Sequence, residues 1–393
     1  MFNKKENIKL KQNLMGICDS KGNDISNNQA KNKAKNNNKI GVKSDTTGIF
    51  GKYKYSETNI SSIKQKNNGY LLPQVLAKRD DIGKYYNIKE KILGEGAYGQ
   101  VCIGEKNGTK YAIKKIKKDK LTEIKPLILE AEISLQIKHE NIIAYYEIFE
   151  DSEYISYVMD FGEGGDLFDF IVGCPLGHLP ADIAMELLIQ IFEVVDYLHS
   201  VKGIVHRDLK PENFLIKINM FNKPQIKLID FGLATYIPKN GKRLKEFIGT
   251  REYAAPEIHE NSGYLEKVDE WAIGVIMYNM LTGFEPFKGE SPSEIKDSVL
   301  FSDIKFDVIE DVDLREINKQ LLNRYVAKRI SCKEALAEVK RIKIERDNYY
   351  KGQKRLSKKT PSVILKKEFE ESKQYLNYWD NISSKIKFGY DLL

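Results

Sequence analysis

Cysteine is scarce in this chain. Four occur in 393 residues (Cys18, Cys102, Cys174 and Cys332), and none form a Cys-x-x-Cys pair. That scatter argues against a zinc site and a disulfide framework, and fits a reducing compartment. Long apolar runs are missing too. The longest, Trp271 to Leu281, is interrupted by Asn279 and is too short to cross a bilayer. No secretory apolar core stands near the start. An intracellular, cytoplasmic location is therefore expected. Charge of one sign is only mildly in excess, at +7, and the surplus lysine sits in the first 70 residues and in 339–367. A nucleic-acid binder would carry basic residues through its folded body, so no nucleic-acid partner is expected. What is present suffices for a sizeable core in two or three lobes: 41% hydrophobic residues, with 22 Tyr and 17 Phe.

Residues 1–80 read as a tail, most clearly the Lys/Asn-rich first 60, which lack periodicity and have few aromatics. Inside it, Met15-Gly16-Ile17-Cys18-Asp19-Ser20 matches the N-myristoylation pattern. If translation starts at Met15, Gly16 would carry one acyl chain. Cys18 and the following lysines would supply the second signal that stable membrane anchoring requires. From Tyr86 the texture changes to short β-runs at 86–93, 100–104 and 110–116, with Lys106-Asn-Gly-Thr109 as a hairpin turn. A helix is expected at about 122–137, and strands at 144–149 and 154–159. Past Gly164-Gly165 the pattern turns helical, at 167–172, 180–199, 268–281, 293–299 and 332–346. A small β-rich lobe thus precedes a larger helical one, with 346–393 as a basic and aromatic extension.

Two stretches carry the chemistry. Asp208, Lys210 and Asn213 lie within six residues, bracketed by Ile204-Val205 and Phe214-Leu215-Ile216, and Asp230 follows in Ile229-Asp-Phe-Gly232. Two carboxylates and an amide are hard oxygen donors, suited to Mg²⁺ and a phosphate-bearing substrate. Leu93-Gly-Glu-Gly-Ala-Tyr-Gly-Gln-Val101 contains G-x-G-x-x-G between two strands, so the helix start that a dinucleotide-binding loop needs is lacking. A Walker A loop is also excluded, since no Gly-Lys is followed by Ser or Thr. What remains is a glycine hairpin folded over phosphates. Lys114, in the apolar strand Ala112-Ile-Lys, would need an anion and a carboxylate partner if it points inward. Glu130 and Glu132 on the next helix are the candidates.

Gly94–Gly99, Ala112-Ile-Lys114, His206-Arg-Asp-Leu-Lys-Pro-Glu-Asn213, Asp230-Phe-Gly232 and Ala255-Pro-Glu257 together resemble the eukaryotic protein kinases, over about residues 86–340. The resemblance implies an α+β bilobal fold, with an antiparallel N-lobe sheet and one main helix at 86–161, and a helical C-lobe at 162–345. It implies transfer of the ATP γ-phosphoryl group to protein substrates. Asp208 would orient the acceptor hydroxyl, Lys210 would stabilise the moving phosphoryl, and Asn213 and Asp230 would hold Mg²⁺. Lys114 would bind the α/β-phosphates, fixed by Glu130. The ATP site is expected to use Leu93, Gly94, Gly96, Gly99, Val101, Ala112, Lys114, Met159, Asp160, Gly162, Asp166, Glu212 and Leu215. Ser134 departs from the pattern, standing where a packed leucine is usual, and Tyr325-Val326 replaces the usual Asp-Pro.

The Asp-Leu-Lys-Pro-Glu-Asn loop and Gly249-Thr250 resemble the Ser/Thr group, and by resemblance Thr250 should bond Asp208 and Lys210. Asp269 should tether the catalytic loop, and Arg329 should pair with Glu257. Lys138-His-Glu-Asn-Ile-Ile143 and Gly164-Gly-Asp-Leu-Phe168 resemble the calcium-dependent protein kinases, although no D-x-[DN]-x-[DN]-G loop occurs, which argues against EF-hand calcium binding by these residues. Asp166 and Glu212 resemble the acids that receive an arginine three residues before the target. Asn279 stands where a second acid is frequent. Glu246 sits four residues before Thr250, where many kinases are phosphorylated, and is expected to pair with Arg207. The basic tail around Arg341–Lys367 suggests an autoinhibitory or calmodulin-binding contact.

Overall fold

The structure is a computed structural model and describes residues 69–96, 99–162, 164–218 and 223–356. The Met15–Ser20 motif, the Lys/Asn-rich stretch and the tail beyond 356 lie outside the described residues.

Five antiparallel strands open the fold: β1 (Asn87–Gly96), β2 (Gly99–Lys106), β3 (Thr109–Lys117), β4 (Tyr145–Glu150) and β5 (Tyr154–Asp160). Their order is β1-β2-β3-β5-β4. The β2–β3 hairpin closes on Asn107 and Gly108, both at positive φ (52° and 75°), as a two-residue turn matched to strand twist requires. Helix α1 (Lys125–Gln136) lies between β3 and β4. It starts later than the sequence pattern suggests because Pro126 fits only a first helical turn.

The second lobe is helical: α2 (Leu167–Gly173), α3 (Ala181–Asp196), α4 (Pro256–His259), α5 (Lys267–Thr282), α6 (Pro292–Phe301), α7 (Val312–Leu321) and α8 (Cys332–Leu356). Helix α5 is buried on all sides from Val268 to Thr282, as expected of a helix at the centre of a lobe. Short β6 (Ile204–Val205) pairs with β9 (Thr235–Tyr236), and β7 (Phe214–Ile218) with β8 (Pro224–Leu228). These four strands frame the polar loop at 206–213 and the Asp230 turn. The α+β, two-lobe architecture is the expected one.

Three differences from the sequence reading have physical causes. First, the tail does not extend to residue 80. Leu71, Leu72, Leu76 and Ala77 are buried in the N-lobe core, and Lys78 bridges to Phe149 of β4. The composition of the first 60 residues masks the short apolar run Leu71-Leu-Pro-Gln-Val-Leu76. Second, residue 345 is no boundary, because α8 continues to Leu356. Lys340 and Lys343 pair with Glu193 and Glu186 of α3, and Arg346 pairs with Asp311 and Asp313. Third, α7 stands where the sequence pattern predicts no element. Its signal is present in Asp311, which caps Leu314 N, followed by Leu314, Ile317 and Leu321 at helical spacing.

Candidate active site

The polar loop is pinned by burial of Val205, Leu209 and Phe214. Asp269 of α5, 1% exposed, accepts the backbone N–H groups of His206 (2.8 Å) and Arg207 (2.9 Å). Those two bonds hold Arg207 at φ +69°, a conformation that costs about 1–3 kcal/mol for a non-glycine residue. Asp208 Oδ1 accepts from Thr250 N (3.0 Å) and Thr250 Oγ1 (2.9 Å). Lys210 Nζ donates to the same hydroxyl at 2.9 Å and lies 3.4 Å from Asp208 Oδ2. Asn213 Nδ2 donates to the Asp208 carbonyl at 2.7 Å. The approach of residues 249–250 needs glycine at 249: φ is +92°, and a Cβ there would lie 2.4 Å from Arg207 O.

A second charged cluster faces this loop. Lys114 Nζ is 2.7 Å from Glu130 Oε1 and 3.0 Å from Asp230 Oδ1. The choice left open between Glu130 and Glu132 resolves to Glu130; Glu132 instead takes hydrogen bonds from Gln136 and Tyr236. Burial works against the Lys114 ammonium, but Glu130 and Asp230 outweigh it and hold its pKa well above the ordinary value. Burial pushes the Glu130 carboxyl up, and Lys114 opposes this. Lys114 holds the Asp230 carboxyl down, at about 2, with the Gly232 amide contributing. Asp230 is thus a fixed anion at φ +62°, with its side chain half-exposed.

The residues expected around ATP come from five strands, the turn before Asn213 and the loop that leads into α2. Val101 is paired with Lys114, Ala112 with Met159, and Gly96 with Gly99 across the glycine hairpin. A Cβ on Gly99 would lie 1.9 Å from the Lys115 carbonyl, so backbone closeness there excludes a side chain. Leu93 is partly exposed, and Gly94 has open space beside it. Leu215 lies under Gly162 and bridges to Asp166, which also caps α2 through Asp169 N. Asp160 accepts from Tyr146, and Glu212 sits in the turn before Asn213. The donor set fits Mg²⁺. Ile229 N donates to Asn213 O at 2.9 Å, which brings Asp230 beside Asn213, and both side chains offer hard oxygens.

The model for the protein kinase domain matches residues 86–339 of this chain. The chain belongs to the protein kinase family. Within that family it is similar to calcium-dependent protein kinase 5 of Plasmodium berghei, at 35% identity over 82% of this chain and 59% of that protein. A CDPK-related protein kinase of Daucus carota is 34% identical over 73% of this chain and 49% of its own length. Myosin light chain kinase A of Dictyostelium discoideum is 40% identical over 58% of this chain and 76% of its own length. The chain spans 46–61% of the length of the Plasmodium calcium-dependent kinases 5 and 4 from which these figures come.

Several supports of this kinase site were not legible beforehand. Ser134 is buried with no hydrogen-bond partner for its Oγ among the described residues. Tyr145 packs its ring edge-on to Phe231 (6.4 Å) and Tyr157 (6.4 Å). The expected Arg207–Glu246 pair forms at 3.5 Å, but Glu246 is 65% exposed, and Arg207 is held more closely by the Leu233 carbonyl at 2.8 Å. His199 braces the loop from behind. Its Nε2 is 2.8 Å from Asp269, and its Nδ1 is 3.5 Å from Glu270. Burial opposes the imidazolium, yet these two acids raise its pKa from 6.5 to about 10. A raised folded-state pKa stabilises fully below the unfolded value and is lost as pH climbs through the folded one. The melting temperature should therefore fall between pH 7 and 10, and His199→Gln should flatten that slope while lowering the value at pH 7. A thermal melt series in which the two slopes coincide would remove His199 from this role.

Proposed function

We propose that this chain is a serine/threonine protein kinase transferring the ATP γ-phosphoryl group to protein hydroxyls. The observation that carries the reading is the closed set Asp208–Thr250–Lys210 facing Lys114–Glu130–Asp230. Phosphoryl transfer depends on positioning and charge stabilisation more than on covalent help. Asp208, held by Thr250, orients the acceptor hydroxyl and takes its proton. Lys210 stabilises charge that develops on the transferring group. Lys114, locked by Glu130, binds the α/β-phosphates. Asn213 and Asp230 would hold Mg²⁺, which when bound neutralises phosphate charge.

The substrate carries a basic residue three positions before the target. In support, burial raises the Glu285 carboxyl, with Glu252 and Glu212 adding to it, so three acids crowd one region near Asp208. The kinase is active without phosphorylation of the activation segment; in support, Glu246 offers Arg207 a weak fixed anion, worth roughly 0–1 kcal/mol at an exposed pair. The kinase acts in the cytoplasm, with membrane association through Gly16 and Cys18 where translation starts at Met15. Any autoinhibitory or calmodulin contact belongs to residues past 346, since Lys340, Lys343 and Arg346 are already engaged by acids of the C-lobe.

Phosphatase-treated chain on a degenerate peptide library, with and without Ca²⁺/calmodulin, tests these points together. The expected result is Ser/Thr phosphorylation with Arg or Lys selected at the third position before the target. Acidic or proline-directed selection would refute the substrate reading. Inactivity until Thr235 is phosphorylated would refute readiness without activation-segment phosphate.

A further inference from the structure

The segment ahead of β1 is built into the N-lobe through a buried carboxylate. Glu150, at the end of β4, is 0% exposed. It accepts the backbone N–H groups of Leu71 (2.5 Å) and Leu72 (2.9 Å). Its countercharge is Lys118, 4% exposed and 2.9 Å away, which also donates to the carbonyls of Gly69 (2.8 Å) and Asp151 (3.0 Å). Seven residues after Leu72, Arg79 stacks over the Tyr70 ring at 4.6 Å, while Lys78 N bonds Ile148 O and Lys78 O accepts from Glu150 N, both at 2.8 Å. A buried ion pair is stable only with its remaining valences met, and here the backbone of residues 69–72 meets them.

This strap reaches the active site by two routes. Leu71, Leu72, Leu76 and Ala77 share one apolar cluster with Ile124, Leu127, Ile128 and Ala131 of α1 and its lead-in. Glu130, the partner of Lys114, stands on that same helix turn. Lys118 lies four residues after Lys114, at the junction where β3 turns toward α1. We propose that residues 69–77, clamped by Glu150 and Lys118, act as positioning residues that hold α1 with Glu130 against Lys114. This rests on the kinase reading for its catalytic consequence and not for its structural one.

The test uses the full chain carrying Leu72→Ala, with Leu72→Val as the milder form if the first does not fold, and Glu150→Gln. Hydrogen exchange across Leu127–Ile133 should speed by about tenfold or more while exchange in α5 stays unchanged. Leu314→Ala in α7, a core change remote from the strap, should lower the melting temperature without that signature. Peptide kcat should fall about tenfold in the strap variants, and the loss should vanish in a Glu130→Gln background, because coupled sites are not additive. Unchanged exchange in α1, or losses that add to that of Glu130→Gln, would overturn the strap's role. If α1 exchange responds but the parent chain phosphorylates nothing, the kinase reading falls and the strap stands.

Discussion

Asp208→Asn should lower kcat for peptide phosphorylation by about 10²–10⁴-fold, the range for losing a positioned general base, while ATP affinity stays close to that of the parent chain. The split follows from the two clusters. Thr250 N and Oγ1 both donate to Oδ1, and an asparagine keeps that acceptor, so the activation segment stays anchored. The other oxygen becomes an amide that faces Lys210 and Asn213 Nδ2, donors meeting a donor, and it no longer accepts the hydroxyl proton. The nucleotide-facing cluster of Lys114, Glu130 and Asp230 makes no bond to the Asp208 side chain. Steady-state kinetics with an independent nucleotide-binding measurement checks this. A kcat within about threefold of the parent, on the same scale of general-base effects, would mean that Asp208 handles no proton. A parallel collapse in ATP affinity would mean that it acts through the phosphate site instead.

The chemistry-bearing residues are legible in the sequence because they occur in short contiguous runs whose spacing is set by one loop or one strand. His206–Asn213 and Asp230–Gly232 each sit between apolar anchors, and their neighbours in space are largely their neighbours in chain. Asp269 and Arg329 become legible only through resemblance, since the residues that they hold lie 62 and 72 positions away. His199, Lys118 and Glu150 stay hidden for a different reason. A charged residue in sequence reads as solvated, and burial of a charge is decided by partners that only the fold assembles. The same holds for Tyr145, whose ring partners Tyr157 and Phe231 are brought to it only by the fold. The strap at 69–77 is legible in principle, as an apolar run, but the composition around it is that of a tail.

Arg329→Ala should destabilise the fold by about 3–5 kcal/mol, the cost of leaving one buried ion without its partner. Against a typical total of roughly 5–15 kcal/mol, that is a large share, and it corresponds to a melting temperature lower by roughly 6–20 °C. Arg329 Nη1 and Nη2 meet Glu257 Oε1 and Oε2 at 2.7 and 3.0 Å, a two-pronged pair with the arginine side chain 0% and the glutamate 6% exposed. Two further donors are also used: Nη1 reaches the Lys267 carbonyl at 2.6 Å and Nε reaches that of Asn323 at 3.1 Å, while the guanidinium lies over Trp271. The turn before it forms without the usual Asp-Pro. Asn323 accepts from Tyr325 N, and Tyr325 O accepts from Lys328 N and Arg329 N, so Tyr325-Val326 keeps the geometry that aims Arg329 inward. Glu257 lies in the first turn of α4, directly after the segment that carries Thr250, so the pair ties the end of that segment to the turn before α8 and, through Lys267 and Trp271, to α5. Arg329→Lys keeps the charge and loses the fork, and should fall between parent and alanine. Replacing both partners by leucine should cost less than Arg329→Ala alone, since no charge is then stranded. Thermal or denaturant unfolding of the four proteins decides it: a double variant as damaged as the single one would mean that the site is maintained by shape and not by the buried charge.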